Sequence, residues 1–130
     1  PEQLKVCINY LGGFRNNMTL VLTGLDIDEK ADLVKRTLLK TFDGGKDFDS
    51  LEFDLVRNTT EDPETNGEAC SLLRVTAKSS NPQEVGRKFS SGIVEMALAS
   101  YPGLFMTAPP ADGTPYGVYW PTLVPADVVK

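Results

Sequence analysis

The period of the apolar residues switches repeatedly along this chain, and that switching limits the fold more than any other feature. Leu4, Val6, Ile8 and Tyr10 fall at alternate positions, as on a half-buried strand. Gly12-Gly13 interrupts the pattern, and Met18, Leu20 and Leu22 resume it, so residues 4–10 and 18–23 are expected to be two strands joined as a hairpin. The spacing then widens to three or four residues at Ala31, Val34, Leu38 and Phe42, which is the stripe of an amphipathic helix. Asp26 and Glu29 predict a capping box at its start, and Gly44-Gly45 marks its end. Alternation returns at 51–55 and over 69–78, two strands expected to lie antiparallel around a polar loop. A second helix is predicted with Asn81 as its cap, Pro82 at its first position and Glu84 in its first turn. Its buried stripe is Val85, Phe89, Ile93 and Met96, and Gly86 and Gly92 suggest close packing against a neighbour.

From Tyr101 onward six prolines remove ladder donors, so the Pro/aromatic-rich tail over 100–130 is expected to be mostly extended loop, with short strand pieces at 103–107 and 119–124. The order of elements gives an α+β fold: a ferredoxin-like split βαβ arrangement with an added N-terminal strand, two helices covering one face of a mostly antiparallel sheet. At this length one core and one domain, 1–130, are expected. The start at Pro1, without an initiator Met or a signal-peptide pattern, suggests a fragment of a larger multi-domain protein. The second face of the sheet must meet water or a partner. Val21, Val56, Leu73, Val75 and Ala77 do not all fit on one face with the other apolar residues, which favours a partner.

The absence of histidine removes Ser-His and Cys-His nucleophile pairs and most zinc sites, so the segment is not expected to be catalytic alone. Acidic residues outnumber basic ones by 18 to 13, and the cations are scattered, which argues against nucleic acid as a partner. No apolar run is long enough for a membrane span, and no membrane partner is expected. Cys7 and Cys70 in apolar segments are expected to be buried free thiols, and two cysteines make no disulfide framework, so the cytoplasm is the expected compartment. Asp26, Asp28 and Asp32 lack the glycine and closing glutamate of a calcium loop. Gly44-Gly45-Lys46 lacks the rest of a phosphate loop. No metal or cofactor is therefore expected in this segment.

Two features carry a ligand hypothesis. Asn9, Arg15, Asn16 and Asn17 surround the expected turn with donors suited to a carboxylate or phosphate, although asparagine also serves simply as a turn former. The segment from Met106 to Trp120, with Thr107 and Trp120 as its candidate contacts, is a long aromatic and proline-rich stretch able to cover a ligand or to pack on another domain.

Three stretches resemble one family: Leu4-Lys5-Val6-Cys7-Ile8-Asn9-Tyr10 running into Gly13-Phe14, Asn16-Asn17-Met18-Thr19 through Leu25-Asp26-Ile27, and Gly117-Val118-Tyr119-Trp120-Pro121 with Leu123-Val124-Pro125. They are similar to the later half of the core region of acyclic terpene utilisation, or AtuA-like, proteins. The resemblance implies a cytoplasmic multi-domain protein associated with breakdown of citronellol- and geraniol-type terpenoids. It supplies no catalytic residue set. Where relatives carry a glycine-rich run after the last helix, this chain has Thr107-Ala108-Pro109-Pro110-Ala111-Asp112-Gly113. The expected role is to complete an interdomain ligand cleft beside the remaining domains of the parent protein. The alternative is a non-catalytic interaction module serving homo-oligomer formation.

Overall fold

A computed structural model describes residues 1–58, 60–99 and 102–129. Its spine is a single strand, β1 (Gln3–Leu22), 20 residues long. The hairpin expected around Gly12-Gly13 is not formed. Both glycines lie inside β1, at a bulge where the register shifts between Leu11 and Gly13. Gly13 holds φ at 136°, and a Cβ on Gly12 would fall 2.4 Å from Val118 and 2.5 Å from Tyr116. A strand needs glycine at such a bulge for the same reasons that a turn does, so sequence alone suggested the wrong one of the two.

Beyond β1 come α1 (Ile27–Thr41), β2 (Ser50–Val56), β3 (Ser71–Ser79), α2 (Arg87–Leu98), β4 (Leu104–Met106) and β5 (Thr114–Pro125). The sheet order is β2-β3-β1-β4, β5 also pairs with β1, and every pairing is antiparallel. The second half of β1 with α1, β2, β3, α2 and β4 makes the expected ferredoxin-like split βαβ unit. Phe14 and Arg15 oppose both β3 and β5, so β5 runs along the edge of β1 that β4 occupies further on. Seven residues, 107–113, thus face only four of β1, 16–19. The first half of β1 and the rest of β5 continue past the sheet as a two-stranded arm.

Neither helix starts as the sequence suggests. Asp26 sits before α1 in a left-handed conformation (φ 59°) and makes no side-chain cap, while Asp28 pairs instead with Arg57. Asn81 accepts from the Gln83 amide at 3.1 Å, closing a local turn, and α2 begins only after Gly86. The predicted stripes hold: Ala31, Val34, Leu38 and Phe42 meet Val85, Phe89, Ile93 and Met96 over the sheet. Phe42 stacks on Phe89 at 5.7 Å, and Phe48 meets both rings edge-on. Gly92 permits this approach, since a Cβ there would lie 2.9 Å from the Phe42 ring.

Leu73, Val75 and Ala77 are buried under the helices, so they do not burden the second face as expected. That face keeps one apolar row, in which Val56, Leu72, Val21 and Phe105 stand side by side across four strands.

Candidate functional site

The residues singled out in the sequence are separated by the long strand rather than gathered at a turn. Asn16 points toward the helices and is buried. Its Nδ2 donates to Val85 O and Ala111 O, both at 2.8 Å, and Ser90 Oγ donates to the same Ala111 carbonyl at 2.9 Å. With its donors spent on backbone, Asn16 fastens the 107–113 excursion and the approach to α2 onto β1. Thr107 begins that excursion, donating through its backbone amide to Thr19 O at 3.2 Å. Asn9 lies on the arm, where its Nδ2 meets Cys7 Sγ at 3.4 Å. Cys7 itself is exposed and Cys70 half-buried just before β3, so neither is the buried thiol expected, and both are free.

Arg15 and Asn17 share the helix-free face, and the register adds residues that sequence reasoning missed. Arg15 stands directly between Lys78 of β3 and Thr114 of β5, with Ser50 beyond Lys78. Asn17 stands beside Thr76, and Glu52 follows on β2. Two cations opposite each other on one sheet face repel. The next row relieves its own charge, as Arg74 pairs with Asp54 at 3.4 Å, whereas among the described residues Arg15 has no ion-pair partner. Lys78 lies 5.8 Å from the centre of the Tyr116 ring, a cation–π contact. This contact fixes Tyr116 on the helix-free side.

Side chains alternate along β5, so Val118, Trp120 and Val124 follow Tyr116 on that side. Their opposite numbers on β1 are Tyr10, Ile8 and Leu4, the stripe that the sequence marks as half-buried. Leu4, Val118 and Val124 are half-buried, and the others stand more open. Tyr10 is 50% exposed, Ile8 46% and Trp120 61%. The result is one continuous surface, cationic and hydrogen-bonding around Arg15, Lys78, Asn17 and Thr76, and apolar along the arm. From Thr114 to Val118 it extends about 13 Å, at roughly 3.3 Å per residue. The arm's reverse side is mixed, carrying Asn9, Cys7 and Lys5, the last lying 5.6 Å from the Tyr119 ring centre.

Described residues line further hollows elsewhere, two of them beside the helices. One of about 320 Å³ at the start of α2 is lined by Gln83, Arg87, Lys88 and Asp112 among others. Its cations are already paired, Arg87 with Asp112 at 3.6 Å and Lys88 with Glu84 and Asp47 at 2.6 and 3.2 Å. Both carboxylates raise the Lys88 pKa, Glu84 the more strongly. The other, about 230 Å³, lies between α1 and the β2–β3 side of the sheet and receives none of the candidate residues. Among the described residues no cluster of three or more potential metal ligands occurs, and no helix is long and apolar enough to cross a membrane.

Fold and surface together define a ferredoxin-like α+β arrangement with a helix-free sheet face and a projecting apolar arm. The family is then settled by the match of its model, acyclic terpene utilisation family protein AtuA, to residues 1–130: the chain belongs to this family. No curated protein and no solved structure matches it.

Proposed function

We propose that this domain serves acyclic terpene utilisation by covering an anionic ligand with its helix-free face, at a cleft completed by another part of a larger cytoplasmic protein. Family membership supplies the association with acyclic terpenes. The observation carrying the reading is the continuity of Arg15 and Lys78 with the apolar side of the arm. A carboxylate or phosphate accepts charge-assisted bonds from the two cations, which also relieves their mutual repulsion. A citronellol- or geraniol-type chain then lies along Tyr116, Val118 and Tyr10, with Ile8 and Trp120 further out. Asn17 and Thr76 supply neutral polar contacts beside the head group. Asn16 is excluded from ligand contact by its buried backbone bonds.

Chemistry on the ligand is assigned to the remainder of the protein, because this segment contains no histidine. The test is Arg15→Ala in the full-length protein, with affinity for an acyclic branched carboxylate such as geranic acid followed by calorimetry. Loss of one charge-assisted bond weakens affinity by about 10- to 100-fold. The melting temperature does not fall, since Arg15 is exposed and its removal relieves the repulsion with Lys78. Unchanged affinity would refute the reading.

A further inference from the structure

The glycine pair inside β1 leaves a place on the strand that no side chain of its own fills, and Tyr116 of β5 fills it. The ring lies over Gly12, where a Cβ would fall 2.5 and 3.1 Å from two ring carbons. Its hydroxyl reaches Gly13, 3.5 Å from where a Cβ would stand there, so the phenol crosses β1 from β5 toward β3. The same point beside Gly13 is 3.1 Å from Ser79 O, and Lys78, the residue before Ser79, lies 5.8 Å from the ring centre. Gly13 and Arg15 share one face of β1, roughly 7 Å apart along the strand, so the hydroxyl arrives beside the row that holds Arg15 and Lys78. Tyr116 is half-buried, and a buried phenol usually has a hydrogen-bond partner. Among the described residues this one has none. Nor is its oxygen sealed in, since the buried side-chain atom without a partner is Ser50 Oγ.

We propose that Tyr116 is a head-group donor and the specificity-determining residue of this face, selecting an oxyanion over the neutral alcohol of the same chain. The inference rests on the anionic-ligand reading above and adds a third donor to it. Arg15 and Lys78 can only donate, and the phenol O–H donates beside them. An ionised carboxylate or phosphate accepts from all three, with charge-assisted bonds throughout. A terpenol hydroxyl must also place its own proton, for which neither cation is an acceptor. Tyr116 further sets where head group ends and chain begins, because it stands on β5 between Thr114, opposite Arg15, and Val118, opposite Tyr10. The glycine pair belongs to the same device, since a side chain at position 12 would displace the ring.

Calorimetry on the full-length protein with geranic acid, geranyl phosphate and geraniol tests it. Tyr116→Phe keeps the ring and its contact with Lys78, so the melting temperature stays within the range of a surface change. The variant loses one bond to a charged acceptor, and whichever of the two anions wild type binds is expected to lose about tenfold in affinity. Geraniol binds wild type more weakly than that anion and loses at most about threefold, because a bond to a neutral acceptor is roughly half as strong. An anion that needs Arg15 but binds Tyr116→Phe as tightly as wild type overturns the inference and leaves the broader ligand reading standing. Equal losses for the anion and geraniol overturn it too, since the phenol then serves the chain or the fold. No binding of either anion, or binding indifferent to both Arg15→Ala and Tyr116→Phe, overturns the two together.

Discussion

Removing Asn16 separates a fastening role from a ligand-binding one. In Asn16→Ala the carbonyl of Val85 loses a 2.8 Å bond in a buried setting, and the carbonyl of Ala111 keeps only Ser90. Each lost bond is worth about 1 kcal/mol, and the desolvated Val85 carbonyl adds about 1–3 kcal/mol if no water replaces the amide. The expected loss is therefore about 3–5 kcal/mol without such a water, equivalent to roughly 10–20 °C in melting temperature for a domain of this size. Urea denaturation followed by circular dichroism measures it, with the slope unchanged if the transition remains two-state. Ser90→Ala added to Asn16→Ala leaves Ala111 O with neither donor, so the two losses are expected to depart from additivity. A loss below about 0.5 kcal/mol, the range of ordinary surface changes, would refute the assignment of Asn16 as the residue that holds 107–113 to β1.

Gly12→Val drives a side chain into Val118 and Tyr116, so faster amide exchange is expected in the arm while α1 and α2 keep their protection. Phe89→Ala empties the centre of the aromatic group and should cost about 3–5 kcal/mol by urea denaturation. The hydrogen bond from Arg57 holds the Asp28 carboxyl below its ordinary pKa. Stability from that pair is complete above the ordinary carboxylate range and is lost as pH falls through the lowered value, so the melting difference between wild type and Arg57→Ala should close on acidification.

The helix stripes and the split βαβ order were legible because burial imposes a period on the sequence, and Val34, Leu38, Phe89 and Ile93 show it directly. The pairing of β5 with β1 was hidden by the prolines of the tail. The first strand was misjudged at Gly12-Gly13, since glycine marks both a reversal and a bulge. Asn81 was misjudged because an asparagine that caps a helix and one that closes a turn offer the same local signal. On the helix-free face, Arg15 and Asn17 are singled out by the sequence, whereas Lys78 and Thr114 become neighbours of Arg15 only through register, which depends on partners far away in sequence. The stripe Leu4-Val6-Ile8-Tyr10 is half-buried only at Leu4 and Val6, while Ile8 and Tyr10 stand exposed.

The central claim is that the helix-free face meets an anionic acyclic ligand, and Trp120 reports on it most directly. Tryptophan emission of the full-length protein would be followed during titration with geranic acid, with the Trp120→Phe protein subtracted. A saturable blue shift, weakened in Arg15→Ala, is the result predicted. No saturable shift, or an equal one in Arg15→Ala, would contradict the account.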